Sequence, residues 1–215
     1  MNRERLLNLA KPILFNTEMV KAILKGRKTV TRRVLKTNKY IPEDSEFGYT
    51  AFTPKGHIAA REHFENGKYG EIFIKRPFSR GDILYVRETW AKDTYRYFYK
   101  ANYADNEKFY QDGTEIQMKW KPSIHMPKAA ARIFLRVKDV RVEQLQNIDG
   151  HGILAEGVDN GSSNPTMGER WENMQQIAFQ ELWDSTIKPK GRDRYGWNAN
   201  PWVWVIEFER IDVQS

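Results

Sequence analysis

The sequence predicts an α+β fold, a small mixed β-barrel with inserted helices and long loop insertions. Three observations lead there. Strand-length segments stand at 83–89, 132–142 and 201–211, the second alternating apolar with polar residues. Helical periodicity appears at 17–26 and again around 171–182. Helices are thus inserted among strands without a regular strand–helix alternation, and that order points to a mixed barrel.

Residues 1–10 have mixed charge and no uninterrupted apolar core, so they read as an N-terminal tail rather than a signal peptide. The length of 11–215 suits a single domain. Pro12 to Phe15 predicts a short strand. Asn16 or Thr17 can cap the helix that follows, with Met19, Val20, Ile23 and Leu24 as its apolar stripe and Gly26 as its stop. Thr29 to Leu35 is then a strand. Residues 37–70, rich in Gly, Pro, Asn and charge, predict an elaborated hairpin or loop insertion. Ile83 to Thr89 follows the turn Arg80-Gly81-Asp82 as a core strand, and Tyr95 to Tyr103, alternating aromatic with polar, as another. Residues 104–131 are expected to be irregular, because Pro122 and Pro127 exclude regular interior structure. Arg132 to Val142 places Ile133, Leu135 and Val137 on one face. A short helix is expected at Ile153 to Gly157. A longer one presents Trp171, Met174, Ala178 and Leu182, with Ile177 beside them. Pro201 to Ile211 closes as a strand with Trp202, Trp204, Ile206 and Phe208 on one side.

A hydrophobic content of 40% with 13% aromatics is that of a globular chain. The absence of cysteine excludes disulfides, thiolate nucleophiles and zinc–thiolate sites, and fits a reducing cytoplasm. His57, His63, His125 and His151 show no ligand spacing, so no metal is expected. No Walker loop, dinucleotide fingerprint or nucleophile elbow occurs, and no cofactor is expected. No run of 18 apolar residues occurs, so no membrane span is expected. The net charge of +7 is uneven. Between Lys11 and Lys36 stand eight cations and one acid, Glu18, which accounts for the whole excess. A cluster this local suits an anionic partner at one site, or a solvated basic face.

Residues 26–33, Gly-Arg-Lys-Thr-Val-Thr-Arg-Arg, lie in that cluster. In an extended chain Lys28, Val30 and Arg32 point one way and Thr29, Thr31 and Arg33 the other. A twist or bulge would bring Lys28 and Thr31 to one pocket. A hydroxyl beside an amine that can lose its proton is minimal equipment for attack on a carbonyl. The same residues would also suit a phosphate-binding strand.

The opening helix followed by Gly26-x-Lys28-x-x-Thr31-x-Arg33 resembles the ASCH domains of the PUA-like β-barrel superfamily. Supporting matches are Gly81-Asp82-Ile83-Leu84-Tyr85-Val86-Arg87-Glu88-Thr89-Trp90, Ala155-Glu156-Gly157 after a core strand, and the last strand Trp202 to Phe208. They run in order from 11 to 211, with insertions near 37–77, 104–128 and 159–170, and in this the chain is similar to the larger phage-encoded and metagenomic ASCH proteins. The resemblance implies one of two activities. Some members remove the acyl group from the exocyclic nitrogen of N4-acylated cytidine; for others RNA binding, or ribonuclease action, is proposed. In the hydrolase pattern the catalytic lysine, threonine and glutamate fall on Lys28, Thr31 and Glu156. Thr31 stands where the motif often carries an acid, as it does in the amidohydrolase members.

Amide hydrolysis needs a nucleophile, a base for its proton, and an acid for the departing amine. Thr31 can attack, with Lys28 as base if burial and the neighbouring Arg27 and Arg33 lower its pKa. Glu156 can protonate the leaving amine, and Arg33 or a backbone N–H can hold the oxyanion. Alternatively, Thr31 orients a water activated by Lys28 or Glu156. Arg87, Glu88 and Trp90 are expected either to line the base pocket, where an aromatic ring stacks on cytosine, or to form an ion pair and core packing. The expected partner is an acylated cytosine nucleoside, or single-stranded RNA in the binding alternative.

Overall fold

The structure is a computed structural model describing residues 2–37, 39–42, 44–49, 53–63, 69–111, 113–158 and 169–213. Helix α1 (Arg3–Leu9) is followed by β1 (Lys11–Leu14), α2 (Thr17–Leu24) and β2 (Val30–Val34). Next come β3 (Glu46–Gly48), β4 (His57–His63), β5 (Tyr69–Lys75), β6 (Ile83–Arg87), β7 (Trp90–Lys92) and β8 (Tyr97–Tyr99). After these are β9 (Phe109–Gln111), β10 (Thr114–Ile116) and the long β11 (Phe134–Gln144). The remainder is α3 (Gly150–Ala155), α4 (Glu169–Thr186), α5 (Arg192–Tyr195) and β12 (Trp202–Ile211). The fold is α+β. Five strands pair in the order β1-β6-β11-β12-β2, and β3-β4-β5, β7-β8 and β9-β10 form smaller sheets. Among the described residues these sheets are open, whereas the sequence suggested closure into a barrel.

The chain forms two compact units interleaved in sequence. Unit 1 is Met1–Thr29, Gly81–Arg136 and Phe208–Ser215; unit 2 is Val30–Arg80 and Val137–Glu207.

In unit 1, β1 runs parallel to β6 from Lys11↔Leu84 to Leu14↔Arg87, and β6 pairs antiparallel with the start of β11. Ile83 to Val86 are all buried, so both faces of β6 are covered. The segment expected as a tail is instead α1. Asn2 caps it by accepting from the Arg5 N–H at 3.0 Å, and Leu6 is wholly buried with Tyr85, Trp90, Met126 and Phe134. Seven residues with one buried position leave too little periodicity to see in sequence. The strand expected over Tyr95 to Tyr103 is only β8. Asp93 accepts from the N–H groups of Tyr95 (2.7 Å) and Arg96 (2.8 Å) to close the turn before it, and Lys100–Asn102 is a 3₁₀ turn after it. The stretch expected to be irregular carries the β9–β10 hairpin, with Gly113 at φ 77°.

In unit 2, β2 pairs antiparallel with β12, from Val34↔Val203 through Thr31↔Ile206. The insertion near 37–77 holds the three-stranded β3-β4-β5 sheet. The buried side of α4 is Gln175, Phe179 and Trp183, one residue round from the expected Met174, Ala178 and Leu182. Phe179 meets the rings of Trp183 at 6.3 Å and Trp197 at 6.0 Å, and this aromatic bulk sets which face turns inward while Met174 and Ile177 stay exposed. The side chain of Trp171 and the insertion at 159–168 lie outside the described residues.

Candidate functional site

The motif begins where α2 stops. Asn16 accepts from the Met19 N–H at 2.8 Å at the helix start, and Gly26 takes φ 73° at its end. The N–H groups of Arg27 and Lys28 both turn back to the Ala22 carbonyl, at 2.9 and 3.2 Å. This fold-back carries Lys28 inward. It is 2% exposed, with Nζ 5.8 Å from the centre of the Phe15 ring. Arg27 stays exposed.

On β2 in unit 2, Thr31 and Arg32 are both buried. Successive residues of a strand face opposite ways, so β2 is covered on both sides at this point. Arg32 Nη1 donates to Glu156 Oε1 at 3.4 Å, and Nη2 donates to Glu143 Oε2 at 3.2 Å. Glu143 is held in turn by Arg141 Nε at 2.6 Å, and Arg141 also donates to Glu207. Glu156 is the C-cap of α3, its N–H bonded to the Gly152 carbonyl at 3.0 Å. Gly157 follows at φ 85°, a conformation that favours glycine. Asp149 caps the other end of α3 by accepting from the Gly152 N–H at 2.7 Å. Arg33 is half-buried; desolvation pushes its guanidinium below the ordinary arginine range, and the negative charge of Glu156 opposes that shift.

Arg32, Glu156, Glu143 and Arg141 therefore form one charged network in unit 2, and the charge of Glu156 also acts on Arg33. Arg32 was not among the expected site residues. Its partners are 111 and 124 residues away, beyond any local pattern. The available signal was the pair Arg32-Arg33 on a strand: alternation sends one of two adjacent cations inward, and a buried cation needs an acid.

Of the residues expected around the base, Glu88 is 1% exposed and Trp90 is 6% exposed, both within unit 1. The partner of Glu88 is Arg132, whose Nε and Nη2 meet its two oxygens at 2.9 and 2.8 Å. Arg132 lies 4.0 Å from the centre of the Tyr99 ring. Burial pushes the Tyr99 hydroxyl up, and it donates to the Ala130 carbonyl at 2.7 Å. Arg87 turns instead to the Ile124 carbonyl. Trp90 packs on Tyr97 at 5.8 Å, with the Lys121 ammonium 5.0 Å from its ring centre.

No family model, curated protein or solved structure matches the chain.

Among the described residues no group of three or more His, Asp or Glu could hold a metal ion, and no helix is long and apolar enough to cross a membrane. The described residues also line open clefts. One in unit 1, of about 750 Å³, is lined by Lys100, Lys108, Phe109, Glu115 and Trp120. One in unit 2, of about 230 Å³, is lined by Leu35, Lys39, Tyr40, Arg194, Tyr195 and Trp202.

Proposed function

We propose that this chain is a metal-independent amidohydrolase of the ASCH, PUA-like type, removing the acyl group from N4-acylated cytidine or cytosine. The observation that carries this is burial. Few polar side chains are buried among the described residues, and Lys28 (2% exposed), Thr31 (2%) and Glu156 (6%) are among them. An amine, a hydroxyl and a carboxylate are costly to remove from water, so a protein that buries all three at its motif positions has a use for them.

In the proposed reaction Thr31 is the nucleophile toward the acyl carbonyl carbon, and Lys28 has the role of base for its proton. Arg33 or a backbone N–H holds the oxyanion. The bond from carbonyl carbon to N4 breaks, the proton taken from Thr31 reaches N4 through Glu156, which begins and ends the step as a carboxylate, and the acyl group remains on Thr31. Water, passing its proton through Glu156 to the Thr31 oxygen, then hydrolyses that ester. Release of cytidine and acetate from N4-acetylcytidine by the purified chain is the direct test. The rate is expected to be unchanged after exhaustive chelation, because no step draws on a metal. Turnover lost on chelation and restored by one divalent ion would replace this mechanism with a metal-assisted one.

The cleft in unit 2 favours a second reading, single-stranded RNA binding. It sets Lys39 and Arg194 beside Tyr40, Tyr195 and Trp202, and Tyr40 is 78% exposed. Cations beside stacking rings are what a flexible strand requires. If RNA is the partner, log affinity falls against log salt with a slope of roughly 0.7 per phosphate contact. Hydrolysis of a neutral nucleoside should stay nearly flat across the same series. Tight, steeply salt-dependent RNA binding with no hydrolysis would decide for the binding module.

A further inference from the structure

We infer that Arg32 is a positioning residue that fixes the Glu156 carboxylate for the reaction. The inference rests on the amidohydrolase reading for its catalytic consequence, and on geometry within unit 2 for its structural one. The Arg32 guanidinium is anchored through its two Nη atoms, one on Glu156 and one on Glu143, while its buried Nε has no hydrogen-bond partner among the described residues. Glu143 is itself clamped by Arg141, so the far end of the bridge is rigid. Only a planar fork spans two carboxylates in this way; an ammonium on a flexible stem has no fixed angle between its donors.

Arg32 also lies directly beneath α3. A Cβ built on Gly152 would stand 3.3 Å from Arg32 Nη2, 3.1 Å from Asp149 Oδ1 and 3.0 Å from an Ile148 methylene. Gly152 and Glu156 are one helical turn apart and so share a face, and Arg32 meets that face at both. Glycine at 152 lets the helix come close enough for the fork to reach Glu156. Arg32 touches no reacting atom in the proposed chemistry. It acts by holding the carboxylate that does.

The test uses Arg32→Met, Arg32→Lys and Gly152→Ala in the full chain, with two readouts. The first is the split between kcat and KM for N4-acetylcytidine. Arg32→Met should lower kcat by about 100-fold, the scale of a 1 Å misplacement, with KM unchanged. Arg32→Lys should fall between that variant and the wild type. Gly152→Ala should lower kcat although it removes no polar atom. The second readout is independent of activity: the mobility of the Glu156 side chain, followed by NMR relaxation of ¹³C-labelled glutamate. One fixed conformer in the wild type should become an averaged one in Arg32→Met. If Arg32→Met does not fold, Arg32→Lys and Gly152→Ala carry both readouts. Wild-type kcat in the variants, or an equally fixed Glu156, overturns the positioning role and leaves the amidohydrolase reading standing. Absence of turnover in the wild type overturns that reading, and the mobility readout alone then decides whether Arg32 positions Glu156.

Discussion

Lys28→Ala is expected to lower kcat for N4-acetylcytidine by about 100- to 10,000-fold, the usual worth of a positioned base. Lys28→Met should do the same while keeping the aliphatic stem against Phe15, so its melting temperature should fall less than that of the alanine variant. The comparison separates lost chemistry from lost packing. Thr31→Ser should retain measurable turnover, because the hydroxyl survives, and Thr31→Ala almost none. A Thr31→Ala enzyme as active as wild type would show that the hydroxyl is not the nucleophile, and a water activated by Lys28 or Glu156 would take its place. If Lys28→Met hydrolyses at the wild-type rate, the amine is structural. The amidohydrolase mechanism proposed for this chain would then be wrong at its first step.

The elements nearest the motif were legible because local chemistry specifies them. Asn16 caps α2 and Gly26 ends it at positive φ, as the residue types imply, and the strand expected over Thr29 to Leu35 is β2 at Val30–Val34. β6 and β12 were legible as runs of β-branched and aromatic residues that follow turn formers, and β11 by its alternation of apolar with polar residues. What stayed hidden depends on distant partners. The face of α4 is decided by rings on Phe179, Trp183 and Trp197, which outweigh a plausible stripe through Met174 and Ala178. The β3-β4-β5 sheet pairs residues whose polar, Gly-rich context resembles loop. At the site, Glu156 is buried, and its contact with Arg32 links residues 124 positions apart. Glu88 is equally instructive. Arg87, Glu88 and Trp90 were expected either to line the base pocket or to form an ion pair and core packing, and the pairing of Glu88 goes to Arg132 across 44 positions.

That last pair sets the largest expected effect on stability. Arg132→Met should destabilise unit 1 by about 3–5 kcal/mol at neutral pH, because it strands a buried carboxylate. Glu88 is 1% exposed, and the Arg132 fork supplies both of its side-chain hydrogen bonds. The methionine also gives up the bond from Arg132 Nη1 to Asn102 at 2.8 Å and the stacking on Tyr99. Glu88→Gln should cost less, since an amide is cheaper to leave in an apolar site than a charge. The paired replacement Glu88→Met with Arg132→Met should recover most of the loss, as removing both members of a buried ion pair is often neutral. Chemical denaturation of these variants and of Glu88→Met alone, with the interaction energy taken from the cycle of the two methionine changes, measures this directly. A double variant as unstable as Arg132→Met would mean that Arg132 stabilises unit 1 through Tyr99 and Asn102 and not through Glu88. A single variant within about 0.5 kcal/mol of wild type, the range of an ordinary surface change, would mean that water reaches the carboxylate once the arginine is gone.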